Sequence, residues 1–212
     1  HTMGLRGTGS NSVKMTNVFI PEHRVVSFAE VLNGQFKSDH LRDIPLYNTA
    51  LFPALSLSLA LPGLGLVKAA LEFFQQVLPN RKAAHIGVEN LIDSPTLHAL
   101  LSDAALKIDT ASMHYYRVAD ELDAWAASGK FMDKPARVKA LADIGYANQV
   151  SKEALDILIL ASGSGYVYEG HPLQRIFRDF WTLYSHRTIS PLITKENYGR
   201  VLSGLESNAL RY

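Results

Sequence analysis

Cysteine is absent from the 212 residues, which excludes disulfides, thiolate metal sites and a cysteine nucleophile, and suits a cytoplasmic protein. A strong charge of either sign is absent too, since 21 basic residues face 20 acidic ones for a formal net charge of +1. With no run of five or more Lys or Arg, nothing in the composition attracts nucleic acid or an anionic membrane, and neither is expected as a partner. The histidines His23, His40, His85, His98, His114 and His171 lack the H-x-x-x-H and H-E-x-x-H spacings of metal sites, so no metal is expected. Gly7-Thr8-Gly9 has no preceding strand, third glycine or following helix, which rejects a dinucleotide fingerprint; no G-x-S-x-G and no P-loop occurs. An unbroken hydrophobic run is also lacking. The longest apolar stretch, Leu51 to Val67, is interrupted by Pro53, Ser56, Ser58, Pro62, Gly63 and Gly65, and reads as too short and too broken for a membrane span.

What is present is enough apolar material for a substantial core: 47% of residues are hydrophobic against 19% charged, which fits one globular domain, or one domain plus a fragment of another. The opening His1-Thr2-Met3 (1–3) reads as a tag remnant and is set aside. In residues 4–27, glycines open a loop and Val13, Met15, Val18 and Ile20 alternate, predicting two or three short strands. So small a hairpin leaves open edges, so this segment is expected to be the tail of a β-domain.

Residues 28–212 are expected to be a helical-bundle domain. Ser94 and Asp133 are N-caps with a proline just inside. Apolar residues at 97, 100/101, 104/105, 108, 111, 115, 118/119, 122 and 125 predict a helix on the order of 45 Å long. Pro135–Ala161 is a second long helix, apolar nearly all round from Ala154, as a central helix is; Leu64–Leu78 marks a third and Leu173–Tyr184 a fourth. The fold class is therefore mainly α, an up-and-down four-helix bundle with a short N-terminal β remnant, closed by a short helix from Thr194 to about Glu206.

Two features bear on chemistry. Arg175, Asp179, Thr182 and His186 fall at i, i+4, i+7 and i+11, a polar stripe on an otherwise aromatic helix. Such a stripe either faces water or lines a cavity, with Asp179 paired to Arg175 and the imidazole facing a ligand. Gly163-Ser164-Gly165 follows a long helix, where a glycine pair is a C-cap or a close approach to phosphate.

These blocks, taken in order, resemble the acyl-CoA dehydrogenase superfamily: Gly4-Leu5-Arg6-Gly7-Thr8-Gly9-Ser10, Val18-Phe19-Ile20-Pro21-Glu22-His23-Arg24, Pro62-Gly63-Leu64-Gly65, Gly163-Ser164-Gly165-Tyr166, Pro172-Leu173-Gln174-Arg175 and Arg178-Asp179. The resemblance covers nearly the whole chain from Gly4, as the end of that family's β-domain plus its C-terminal bundle. It implies a catalytic Glu eight residues past Asp179, where Arg187 stands, or on the first bundle helix at about Leu55. Neither is acidic, and Tyr168-Glu169-Gly170 lies upstream of Arg178-Asp179 and reads as coincidence in a loop. Proton abstraction next to a thioester needs a carboxylate, so ordinary dehydrogenase activity is not expected.

Pro172-Leu173-Gln174-Arg175, Phe177-Arg178-Asp179 and His186 are instead similar to the family's flavin-dependent monooxygenase branch, the two-component hydroxylases. That resemblance implies reduced flavin (FMN or FAD) delivered by a separate flavin reductase and not retained by this chain alone. It further implies an aromatic or natural-product-like small-molecule substrate and a dimer or homotetramer. His186 becomes the catalytic residue, positioning or deprotonating substrate near the flavin. Arg81, Ser162, Gly163 and Ser164 fall where the family contacts its cofactor, although Ala84 and His85 replace the family's Phe-Gly and the Gln of its Gln-x-x-Gly-Gly is missing. Two rivals stand beside this reading: an acyl-CoA dehydrogenase-like oxidoreductase with a displaced base, and a catalytically silent helical oligomerisation module.

Overall fold

Several of the helices start where a polar side chain can take the backbone N–H groups that a first turn leaves unpaired. In the computed structural model, which describes residues 1–37, 40–83 and 87–208, the Ser94 hydroxyl accepts the Leu97 N–H at the head of α3 (Pro95–Ala127). The Asp133 carboxylate accepts the Ala136 N–H at 2.8 Å at the head of α4 (Lys134–Ala161). Helix α5 (Pro172–Tyr184) is capped by the His171 imidazole, and α6 (Pro191–Leu202) follows Ser190. A short α1 (Phe28–Leu32) and a long α2 (Leu51–Val77) precede them.

Helix α4 is central, packing against α2, α3, α5 and α6, and its residues Leu141, Ile144, Ala147 and Ala154 are fully buried. Around it close Val67 and Phe74 from α2, Tyr115 and Val118 from α3, and Phe180 from α5. Each large side chain removed from water in this way contributes about 1.5–3 kcal/mol. Close helix approach has a local cause. A Cβ on Gly145 would lie 2.0 Å from Thr194 Oγ1, so only glycine lets α6 seat on α4. Ahead of the bundle, the Arg137 guanidinium donates to the Leu32 carbonyl and lies over the Phe131 ring, fastening α1 to the start of α4.

The expected α2 begins at Leu64; the observed one begins thirteen residues earlier and runs unbroken through Pro62, Gly63 and Gly65. With its terminal 3-10 turn, Leu51–Asn80 is long and apolar enough to cross a membrane by length and composition, contrary to the reading of a broken stretch. In this fold one face of it is the bundle core, with Ala60, Val67, Ala70 and Phe74 fully buried. The closing helix also starts earlier and ends sooner than expected, at Pro191–Leu202.

The β remnant is not found: among the described residues the β pairing is an isolated bridge, Lys82 with Asn90. Residues 4–27 form two 3-10 turns, Arg6–Thr8 and Glu22–Arg24, joined by irregular chain that bends at Thr16 and Asn17. A strand needs a neighbour to accept its N–H groups, and here Val13 and Phe19 stand 83% and 87% exposed. The start of the segment is held against α5. Gly4 lies so close to α5 that a Cβ would come 2.1 Å from the Arg178 carbonyl oxygen, and the Leu5 N–H donates to the Asp179 carboxylate at 2.6 Å.

Candidate functional site

Helix α5 ends at Tyr184, so His186 stands beyond the helix rather than on its stripe. The His186 N–H donates to the Leu183 carbonyl at 3.0 Å, and the chain then enters a 3-10 turn, Arg187–Ile189, whose N-cap is His186 itself. The turn is anchored from below. Ile189 is fully buried, and its carbonyl accepts the amide of the fully buried Asn148 at 3.3 Å. An exposed imidazole is thereby mounted on a fixed base. Its Nδ1 lies 2.8 Å from the Thr188 hydroxyl and accepts the Thr188 backbone N–H at 3.3 Å.

This imidazole lines a cleft of about 890 Å³ together with Thr182, Leu183, Leu59 of α2 and residues of the 1–11 segment, His1 and Thr2 of the tag remnant among them. The wall formed by that segment depends on the Gly4 and Leu5 contacts with α5. Asp179 therefore does a different job from the one its spacing suggests: its carboxylate takes the Leu5 N–H, and the ion pairs among the described residues do not include Arg175 with Asp179. Of the predicted stripe, Thr182 and His186 reach the cleft, Asp179 supports its wall, and Arg175 lies exposed away from it.

The four residues expected to contact a cofactor do come together. Arg81 Nη2 donates to the Ser162 carbonyl at 2.6 Å, although the two lie 81 positions apart. The Ser162 hydroxyl is buried and donates to the Leu158 carbonyl at 2.7 Å, so it ends α4 and does not point outward. Gly163 follows with φ +66°, a left-handed conformation that other residues seldom adopt. Gly163 and Ser164 then line a hollow of about 530 Å³ together with Tyr166, Phe177 and Asp156. Ala84 and His85 lie outside the described residues.

Neither family base position gains a carboxylate from the fold: Leu55 is exposed on α2 and Arg187 is exposed in the 3-10 turn. Glu169 of Tyr168-Glu169-Gly170 is exposed between the end of α4 and α5. Elsewhere, a buried Asp143, its side chain 6% exposed, receives His114, Arg117 and Lys139 between α3 and α4. Sequence reasoning missed Thr188, Asn148 and Leu5. A His-x-Thr just past a helix end is a usable local signal for the first; the other two depend on partners 41 and 174 residues away.

A profile described as "Acyl-CoA dehydrogenase, C-terminal domain" matches residues 57–191. The oxygenase subunit HsaA of a flavin-dependent monooxygenase from Rhodococcus jostii (strain RHA1) is 29% identical over 97% of the chain and 54% of its own length. The oxygenase component of p-hydroxyphenylacetate 3-hydroxylase from Acinetobacter baumannii is 23% identical over 97% of the chain and 49% of its own length. Among solved structures, XiaF from Streptomyces sp., in complex with FADH2 and glycerol, superimposes with a TM-score of 0.89 at 31% identity, over 100% of the chain and 53% of XiaF. The chain thus spans about half the length of the relatives it matches.

Proposed function

Because the chain belongs to the family of acyl-CoA dehydrogenase C-terminal domains, we propose that it is the C-terminal portion of a flavin-dependent monooxygenase that hydroxylates an aromatic or natural-product-like small molecule. The observation that carries this reading is the likeness to monooxygenase oxygenase components along nearly the whole chain, beyond the limits of the family profile. Supporting it, the two positions where a dehydrogenase keeps its carboxylate are Leu55 and Arg187, while His186 occupies the cleft. Residues 4–27 are then the end of a β-domain, and their exposed apolar side chains await the rest of it.

In this reading His186 positions the substrate hydroxyl by a hydrogen bond from its imidazole. Reduced flavin, when bound, supplies the electrons with which oxygen is activated. The residues that would hold its phosphate or adenylate end are Gly163 and Ser164, in the hollow at the end of α4. There the Ser164 hydroxyl and the left-handed Gly163 backbone lie open, and Arg81 holds the helix end by its bond to Ser162. FMN and FAD both suit so open a hollow. A separate flavin reductase would deliver the cofactor, and the protein would act in the cytoplasm as a homodimer or homotetramer. The exposed Leu106, Met113 and Tyr116 of α3 are apolar surface available to a second copy.

The test is hydroxylation of a phenolic substrate by the intact oxygenase, supplied with reduced flavin and oxygen. His186→Ala should lower turnover by roughly 10²-fold, the usual scale for a lost acid or base, while wild-type reduction of an artificial acceptor by acyl-CoA stays at background. Full turnover in His186→Ala, or acyl-CoA oxidation by the wild type, would overturn the reading.

A further inference from the structure

The contacts around His186 bear on which of its nitrogens carries the proton. A backbone N–H can only donate, and the Thr188 N–H is directed at Nδ1 from 3.3 Å. A proton on Nδ1 would set two N–H groups against each other, so the Nδ1 lone pair faces Thr188 and the proton of the neutral ring sits on Nε2. With Nδ1 an acceptor, the Thr188 hydroxyl at 2.8 Å turns its own hydrogen toward the same nitrogen. Thr188 thus offers that nitrogen's single lone pair two donors, one from the backbone and one from the side chain. The arrangement is held in place, since the buried Ile189 and its bond from Asn148 fix the turn that carries Thr188.

A second histidine in this chain shows what is special here. His171 caps α5 through Nδ1 in the same manner, accepting the Leu173 N–H at 3.3 Å, but residue 173 is a leucine and adds no side-chain donor. The extra hydroxyl occurs at the histidine that lines the cleft and not at the one that merely starts a helix.

We propose that Thr188 is a positioning residue that holds His186 as the Nε2–H tautomer, so that the imidazole presents the cleft with a hydrogen-bond donor. A donor at Nε2 recognises an oxygen that can accept, and it favours an aromatic compound carrying an ionised hydroxyl, a phenolate, because a charged acceptor binds such a donor more strongly than a neutral phenol does. The neutral ring cannot take a phenol's proton at Nε2, because that nitrogen already holds one; the hydroxyl is bound with its proton already lost to solvent. The ligand assignment rests on the reading of the cleft as the substrate site, whereas the tautomer assignment does not.

The experiment labels the histidines with 15N and reads the His186 ring nitrogens by NMR in the whole 212-residue chain, at a pH where the ring is neutral. Wild type should show Nδ1 as the unprotonated nitrogen and Nε2 as the protonated one. Thr188→Val removes one of the two donors and should lower the ratio of Nε2–H to Nδ1–H about fivefold, the factor expected for one ordinary hydrogen bond. Thr188→Ser should restore it, and His171 should not change in either variant. A wild-type His186 protonated at Nδ1, or a ratio unmoved by Thr188→Val, overturns the proposal. For the ligand class, 4-nitrophenol is the probe, its absorbance distinguishing phenol from phenolate. Binding as phenolate, weakened in Thr188→Val and restored in Thr188→Ser, supports the assignment; binding as the neutral phenol refutes it. Absence of turnover in an enzyme whose His186 nonetheless shows the Nε2–H tautomer would count against the monooxygenase reading alone.

Discussion

Asp179 shows how one contact reassigns a residue. Its spacing from Arg175 suggests an ion pair along α5, yet its carboxylate accepts the N–H of Leu5, 174 positions away. The residue therefore fastens the chain's start to the bundle. Asp179→Ala should free residues 1–11 locally: the Leu5 amide should lose its protection from hydrogen exchange, by the ~1.5–3 kcal/mol typical of a bond to a charged acceptor. The bundle's thermal midpoint should move little, and a large drop in that midpoint would contradict the assignment. At this scale sequence reading singled out His186, Arg81, Ser162, Gly163 and Ser164; the fold sets the first in the lining of the cleft and bonds Arg81 to Ser162 across 81 positions. It could not find Asn148 or Leu5, whose roles exist only once distant segments meet.

Two helix starts were legible from local signals. Ser94 with Pro95 and Asp133 with Pro135 start α3 and α4 where their side chains predict. The first half of α2 was not legible, because Pro62, Gly63 and Gly65 are breakers by propensity and acceptable only in place. Pro62 and Ser58, whose carbonyl it deprives of an N–H, are both exposed, so water can satisfy that carbonyl. Gly63 is buried where a Cβ would come 3.2 Å from both Phe180 and Leu183 of α5. A sharper case is Gly145. Gly145→Ala should cost about 1–3 kcal/mol by overpacking against the buried Thr194. Adding Thr194→Ala should recover part of that loss, so a double-variant cycle in thermal unfolding that is strictly additive would argue against the contact. Between α3 and α4, the Lys107 ammonium and then the Gln149 amide hold the Glu153 carboxyl below its usual range, and Glu153 holds Lys107 above its own. A depressed carboxyl contributes stability above its unfolded value and loses it as pH falls through the folded one; the raised ammonium loses its share only at strongly alkaline pH. Wild type should thus be slightly more stable than Glu153→Gln at neutral pH, with the difference vanishing in acid and shrinking in salt. An unchanged difference at low pH would exclude this pair as its source.

For the molecule as a whole, the bundle came from periodicity and the missing strands came from a correct pattern without a partner. Val13, Met15, Val18 and Ile20 alternate as a strand does, but alternation specifies a face and not the neighbour that must accept its N–H groups. The same incompleteness governs the cofactor. Purified alone, this chain should carry little tightly bound flavin, since the hollow beside Ser164 is open and its Arg81 is already engaged with Ser162. An absorbance spectrum showing stoichiometric flavin would refute that. The contact of Gly4 and Leu5 with α5 carries a kinetic consequence as well. Bringing together residues 174 positions apart incurs a large loop-closure entropy before any contact repays it. The helices, rich in local contacts, can assemble first; the arm then docks onto a surface that α5 presents only when folded. Refolding should show two phases, a fast one seen by circular dichroism and a slower one seen at the Leu5 amide. The cleft around His186 would be the last part of the protein to come into being.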